Sequence, residues 1–164
     1  MSQHHATIAW ERAGRDFDYE SYSRNHTWDF GCGTEVVASA ASAFRGDPGK
    51  VNPEDAFVAA LSSCHMLTFL AIAARTGIVV ERYYDAAVGY LERNEDGKLA
   101  MTRVVLRPEV AFQAPVPASD LARMHERAHE DCFIASSVRT LVQVEIVRPV
   151  EAGAETGRQV EHGD

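Results

Sequence analysis

The clearest helical signal in this chain lies between Asn52 and Gly77, and its apolar residues extend almost around the helix. Asn52 suits the N-cap, Pro53 the first helical position, and Gly77 the residue after the last turn. Mostly apolar or small residues recur at three- and four-residue spacings, at Phe57, Leu61, Cys64, Thr68, Ala71 and Ala74. A helix of this kind must be covered from several sides. The sequence therefore predicts a central helix around which the rest of the fold packs.

The segments that flank this helix predict an α+β fold. Alternating residues between turn signals indicate an N-terminal β-meander, a β-hairpin after the central helix, a second helix and a final strand. The ranges are 5–10, 21–30 and 34–39 for the meander, 84–91 and 99–112 for the hairpin, 119–129 for the second helix and 140–147 for the final strand. We expect residues 1–149 to form a single domain and the acidic tail 150–164 to be disordered.

Composition and charge argue against several classes of protein. The chain has 164 residues, of which 46% are hydrophobic, and a formal net charge of −8. Because no run of Lys and Arg offers a basic surface, we expect neither nucleic acid nor an anionic membrane as a partner. No signal peptide is evident, and we expect no apolar stretch to reach the roughly 18 residues that span a bilayer. These features predict a cytoplasmic protein that acts on small molecules.

The three cysteines lie far apart, which favours thiol chemistry over a structural disulfide framework. Cys64 is in the middle of the central helix, and Cys132 lies in a second helical stretch, AHEDCFIASSV. Cys32, between two glycines, is interpreted as incidental. A peroxide-reducing cysteine requires a stabilised thiolate in a water-poor pocket and a second thiol that converts the sulfenic acid to a disulfide. The alternative is that both helical cysteines are small core residues.

The position of Cys64 indicates that a side-chain cation must stabilise its thiolate. Cys64 is far from the N-terminal amides of its helix, so the helix dipole gives little help. Arginine suits this role because it stays charged when desolvated, and its fork can hold the thiolate and a peroxide oxygen together. A carboxylate such as that of Glu54 would then orient the guanidinium.

The stretches NPEDAFVAALSSCHM and AHEDCFIASSV resemble the two cysteine motifs of the OsmC/Ohr family, which comprises osmotically inducible protein C and organic hydroperoxide resistance protein. The resemblance implies the OsmC-like α+β fold, an intertwined homodimer, and a cysteine-based peroxidase that reduces organic hydroperoxides. Cys64 is similar to the peroxidatic cysteine, whose sulfenic acid Cys132 resolves as a disulfide. Glu54 is similar to the motif glutamate, and Arg24 is the best match to the active-site arginine, with Arg45 as a competitor. We expect no cofactor and no metal, and the reductant is expected to be an unknown thiol of dithiol or lipoyl type.

Two residues depart from the family pattern. Phe133 follows Cys132 where the family often has proline, and His65 follows Cys64 where an apolar residue is usual. These departures favour an OsmC-like branch over the main Ohr branch.

The spacing between Glu54 and Cys64 bears on assembly. The two residues are ten positions apart, or about 15 Å along a helix, which is beyond the reach of a glutamate side chain. If both serve one site, either an arginine bridges the gap or the carboxylate comes from a partner chain. A two-fold axis between two central helices would supply a second Glu54 and would cover the apolar helix, so we favour a homodimer.

Two other functions are compatible with the sequence. His125, His129 and Cys132 fall at i, i+4 and i+7, which is one face of a continuous helix. Cys64 or His65 would complete four nitrogen and sulfur ligands for zinc. The other alternative is a non-catalytic dimer that binds apolar ligands.

Overall fold

The computed structural model describes residues 1–147, which form an α+β fold with the element order that the sequence predicts. The helices are α1 (Pro53–Arg75) and α2 (Ala118–Glu130), with short 3₁₀ turns at Ser42–Phe44 and Ala135–Ser137. The strands are β1 (Thr7–Ala9), β2 (His26–Asp29), β3 (Glu35–Ala38), β4 (Val80–Asp85), β5 (Val88–Arg93), β6 (Leu99–Leu106), β7 (Pro108–Phe112) and β8 (Leu141–Val144). The tail 150–164 lies outside the described residues.

Helix α1 begins and ends close to the positions that the sequence predicts. Asn52 is the N-cap, and its side-chain oxygen accepts a hydrogen bond from the backbone N–H of Asp55 at 2.9 Å. Pro53 occupies the first turn, where a missing N–H costs nothing. After Arg75, Gly77 adopts a left-handed conformation with φ of 75°, which ends the helix. Local sequence signals therefore define both ends of α1.

The N-terminal meander is present, with shorter strands than the sequence predicts. β2 pairs antiparallel with both β1 and β3, and Trp28 lies opposite Ile8 on one side and Val36 on the other. The meander joins the rest of the chain through Ala38, which forms an isolated parallel bridge with Val51. Ladder hydrogen bonds cover the middle of the first and third predicted strands and only the C-terminal half of the second.

The predicted hairpin is divided into two ladders. β5 pairs antiparallel with β6 across a turn in which Gly97 has a φ of 73°, and β4 pairs antiparallel with β7. At the break, the Asp85 carboxylate accepts hydrogen bonds from the backbone N–H of Arg107 and from the hydroxyl of Ser62 on α1. β8 then pairs parallel with β6. The hairpin therefore lies against α1 with its strands interrupted at Asp85.

Besides Trp28 and Ala38, which are buried in the meander, the hydrophobic core has two clusters along one face of α1. One cluster contains Leu61 with Val104 and Leu106 of β6, and the other contains Phe69, Ala73, Val110, Met124 and Ala128. The buried residues of α1 recur every four positions, at Leu61, His65, Phe69 and Ala73. Neither cluster includes a residue of the meander. A single chain therefore covers one face of α1, while Leu67 on another face remains 59% exposed.

By its length and composition alone, α1 could span a bilayer. The expectation that no apolar stretch is long enough to do so was therefore wrong. An 18-residue window within the 23 residues of α1 has a mean hydropathy of 1.9. The helix nevertheless packs against α2 and against strands β4, β5 and β6. These contacts are those of a core helix.

The loop between β3 and α1 generates a prediction about stability. A Cβ atom placed on Gly46 would lie 1.6 Å from the carbonyl oxygen of Ala40. Because backbone rather than a flexible side chain must move, Gly46→Ala should lower the free energy of unfolding by about 1–3 kcal/mol. Gly49→Ala is the matched control, since its Cβ would lie 3.3 Å from a side-chain oxygen of Asp47. Urea unfolding curves with equal midpoints for the two variants would contradict this account of the loop.

Candidate active site

The structure brings Cys64 and Cys132 together. Cys64 lies at the middle of α1 and is half-buried, whereas Cys132 is 1% exposed. The Cys64 side chain lies close enough to Cys132 to raise the pKa of the Cys132 thiol. Cys32 lies in an exposed turn of the meander and takes no part in this contact. Two of the three cysteines thus form a thiol pair with one member buried and the other partly exposed.

Cys132 does not lie on the second helix, contrary to the prediction. Helix α2 ends at Glu130, and Cys132 follows in the loop before the 3₁₀ turn. The loop is held by hydrogen bonds, because the Cys132 carbonyl accepts from both the backbone N–H and the hydroxyl of Ser136 at 3.0 Å. The backbone N–H of Ala135 points at the Cys132 sulfur at 3.5 Å. Leaving the helix lets Cys132 turn towards α1.

The two thiols have different surroundings. Burial, and after it the neighbouring Cys64 side chain, raise the pKa of Cys132 to about 11. The backbone N–H groups of Ile134 and Ala135 act in the opposite direction. Cys132 is therefore a thiol at neutral pH, with an S–H that can be donated to Cys64.

Arg24 and Glu54 lie together, but not beside the thiols. Both line an apolar cavity of about 530 Å³ between the meander and the start of α1, and neither Cys64 nor Cys132 is among its lining residues in the described chain. The Arg24 guanidinium donates to the carbonyls of Tyr19 and Tyr22 at 2.5 Å and stacks on the Tyr22 ring at 3.8 Å. One carboxylate oxygen of Glu54 is buried and has no hydrogen-bond partner within residues 1–147.

The competing arginine, Arg45, occupies a different setting. Its guanidinium forms an ion pair with Glu20 on an exposed surface and lies 5.3 Å from the centre of the Tyr19 ring. Tyr19 therefore contacts both arginines, but only Arg24 shares a cavity with Glu54.

A buried histidine pair lies next to the thiols, and the sequence did not predict it. His65 on α1 and His125 on α2 are 1% and 2% exposed, and His65 Nε2 lies 3.1 Å from His125 Nδ1. Burial lowers the pKa of each ring to about 4. Phe69 stacks on His125 with ring centres 4.3 Å apart. The one sequence signal for this pair was the unusual histidine directly after Cys64.

The zinc alternative, with His125, His129, Cys132 and either Cys64 or His65 as ligands, is wrong for the described residues. Within residues 1–147, no three His, Cys, Asp or Glu side chains are placed to hold a metal ion. The i, i+4, i+7 spacing needs one continuous helix, and α2 ends before Cys132. His125 Nδ1 is also engaged with His65.

The fold and the thiol pair define a class of α+β proteins with two cysteines, one on a central helix and one in the loop after a second helix. A family model described as OsmC-like protein matches residues 46–147. The solved structure of an OsmC-like protein of unknown function from Vibrio cholerae is 47% identical, with a TM-score of 0.85 over 90% of this chain and 100% of that one. The chain belongs to the OsmC-like family.

Two further relatives are more distant. The structure of an organic hydroperoxide resistance protein OsmC from Legionella pneumophila has a TM-score of 0.64 and 20% identity, over 92% of this chain and 98% of that one. An uncharacterized protein of Bacillus subtilis, YmaD, is 23% identical over 112 residues, which cover 66% of this chain and 74% of YmaD. The Legionella structure shares the fold, and its identity with this chain is too low to carry an activity across.

The histidine pair generates a prediction about pH. In the unfolded chain, histidine has a pKa near 6.5, whereas burial lowers the pKa of His65 and His125 to about 4. Between these values the unfolded state binds protons that the native state does not, so native stability is lost as pH falls. The free energy of unfolding should drop between pH 7 and pH 5 by about 2 kcal/mol for each histidine.

The matched control is the double variant His65→Leu/His125→Leu, which lacks both rings. Urea unfolding at pH 7, 6 and 5 should show a clearly weaker pH dependence in this variant. The same slope in both proteins would mean that the pair is not held neutral by burial.

Proposed function

We propose that this protein is a thiol peroxidase that reduces organic hydroperoxides to alcohols. The observation that carries the proposal is the contact between a half-buried Cys64 and a buried, protonated Cys132. The Cys64 thiol is partly exposed to a small substrate, whereas the Cys132 thiol is buried beside it and reacts in the second step. Membership of the OsmC-like family supports the proposal, since structural neighbours include proteins named for organic hydroperoxide resistance.

The reaction takes place in two steps at these two sulfurs. The Cys64 thiolate attacks one peroxide oxygen, the O–O bond breaks, and the other oxygen takes a proton and leaves as the alcohol. Cys64 is then a sulfenic acid. The Cys132 sulfur attacks the Cys64 sulfur, its thiol proton joins the departing hydroxyl, and water leaves. Two thiols and one hydroperoxide thus give one disulfide, one alcohol and one water.

Arg24 and Glu54 complete the proposed site from a partner chain. Within one chain they share a cavity that does not include Cys64. The buried oxygen of Glu54 without a partner suits a carboxylate that orients a guanidinium. We assign Arg24 the role of stabilising the Cys64 thiolate and the peroxide oxygen, in a site formed by two subunits.

The exposed apolar surfaces of the chain support a homodimer. On the meander, Ile8 is 59% exposed and Val37 is 52% exposed, and neither core cluster draws on the meander. On α1, Leu67 is 59% exposed. A second copy of this chain covers both surfaces at once and brings the Arg24 cavity of one subunit towards Cys64 of the other.

The cavity also suggests the kind of hydroperoxide. Its walls include the apolar side chains of Ile8, Trp10, Phe17 and Phe44. An alkyl or aryl hydroperoxide gains burial there that hydrogen peroxide cannot gain.

The disulfide is returned to two thiols by a cytoplasmic reductant, for which a dithiol or lipoyl group is our proposal. If the apolar cavity instead served a non-catalytic binder, no hydroperoxide would be consumed.

The two cysteines should have separable roles. Cys64→Ser should abolish hydroperoxide reduction, because the thiol that remains at the site, Cys132, is buried and protonated at neutral pH. Cys132→Ser should react once and accumulate a sulfenic acid on Cys64, because the resolving thiol is missing. Cys32→Ser is the control and should retain activity. Stopped-flow consumption of hydroperoxide and dimedone labelling check these outcomes, and equal first-turnover rates in Cys64→Ser and the parent would refute the assignment.

The two candidate arginines can be distinguished by thiol reactivity. Arg24→Ala should slow the alkylation of Cys64 by iodoacetamide at pH 7 about tenfold, because the cation that stabilises the thiolate is removed. Arg45→Ala, the matched control, should change the rate much less, since Arg45 pairs with Glu20 at the surface. Peptide mass spectrometry follows the modification of Cys64. The reverse order of effects would assign the role to Arg45.

Sharing of the site between subunits can be tested by complementation. Cys64→Ser chains are inactive and Glu54→Ala chains are expected to be weakened. In a heterodimer, one of the two sites carries both native residues if Glu54 acts across the interface. Co-refolded mixtures should therefore exceed the summed activity of the parents. Sedimentation of the protein as a monomer at micromolar concentration would disprove the dimer. Heterodimers that form but show no complementation would mean that Glu54 and Cys64 of the same subunit share a site.

A further inference from the structure

His65 and His125 form a polar contact between the two segments that carry the thiols. His65 directly follows Cys64 on α1, and His125 lies on α2, seven residues before Cys132. The two imidazole rings are parallel within 1°, and the Nε2 to Nδ1 distance is 3.1 Å. The thiol contact and the histidine contact therefore join the same two segments of chain.

Each of these rings has no other hydrogen-bond partner in the described residues. His65 Nδ1 and His125 Nε2 are buried and unpartnered within residues 1–147. Burial lowers the pKa of both rings to about 4, so both are neutral at pH 7. In a neutral pair one ring donates its N–H and the other accepts it. The hydrogen bond therefore fixes both the distance and the direction of the two side chains.

Stability does not explain why this contact is polar. His65 lies between Leu61 of one core cluster and Phe69 of the other, on the buried face of α1. An apolar pair would join the two clusters, and replacing buried polar pairs by apolar residues is often neutral or stabilising. A directional polar contact in a core does fix the register of two helices.

We propose that His65 and His125 are positioning residues that hold Cys64 and Cys132 in the geometry for disulfide formation. A disulfide tolerates only a narrow range of Cα separations and dihedral angles. The histidine contact lies about 100° further round α1 than the thiol contact, so it adds a second, directional restraint between α1 and the α2 segment beyond their apolar packing. This proposal adds detail to the proposed function and rests on its Cys64–Cys132 disulfide. It does not depend on a hydroperoxide being the oxidant that forms that disulfide.

The test is the equilibrium between the protein and dithiothreitol, in a Cys32→Ser background. Oxidised dithiothreitol takes two electrons and two protons from the thiols of Cys64 and Cys132, which leaves reduced dithiothreitol and one protein disulfide. In His65→Leu/His125→Leu the equilibrium constant for the protein disulfide should fall about tenfold, equivalent to about 1.4 kcal/mol. The reduced variant should unfold at pH 7 with a urea midpoint close to that of the parent. A folded variant with an unchanged constant would overturn the proposal.

A second pair of variants gives a result even if the double leucine variant does not fold. Asparagine at position 125 keeps a hydrogen-bonding atom near the place of Nδ1, whereas glutamine places that atom further from the backbone. His125→Asn should keep the disulfide constant near that of the parent, and His125→Gln should lower it. Equal constants for the two would overturn the positioning role. A parent that forms the disulfide, with variants that leave its constant unchanged, overturns this inference alone. A parent that forms no Cys64–Cys132 disulfide overturns the proposed function as well.

Discussion

The packing of one face of α1 is the constraint on which the core and the thiol site both depend. Leu61 and Phe69 on that face belong to the two core clusters, and His65 lies between them. Cys64 is one position away, at the edge of the buried face, which leaves its sulfur half-buried. The same packing that excludes water from the core therefore places one thiol where a small substrate can reach it.

The apolar faces of α1 that a single chain leaves uncovered are one reason to propose a dimer. A helix with a mean hydropathy of 1.9 over 18 residues needs more cover than one small chain provides. The meander also has apolar side chains that need cover, because they contribute to neither core cluster. In the proposed dimer each surface covers the other, and the cavity that holds Arg24 and Glu54 completes the site of the partner chain.

Elements with strong local signals were predictable from the sequence. Asn52, Pro53 and Gly77 define the ends of α1 by capping and by backbone conformation, which do not depend on distant contacts. The α+β order was predictable because the alternating strands and the helical periods are local patterns. Strand ends were less predictable: the long hairpin is divided after Asp85, whose side chain accepts hydrogen bonds from Ser62 on α1 and from the backbone of Arg107.

The site was predictable in its residue types but less so in its geometry. The two cysteines were identified by their settings, but the position of Cys132 beyond the end of α2 depends on loop hydrogen bonds that the sequence pattern does not encode. The separation of Arg24 from Cys64 within one chain and the contact of His65 with His125 depend on tertiary packing. In both cases the partner residue is distant in sequence.

Intact mass and thiol counting after one equivalent of an organic hydroperoxide test the central claim most directly. The account predicts that the mass falls by that of two hydrogen atoms, that two of the three thiols disappear, and that peptide mapping joins Cys64 to Cys132. A lasting gain of one oxygen atom on Cys64, or an unchanged thiol count, would contradict a paired-cysteine mechanism.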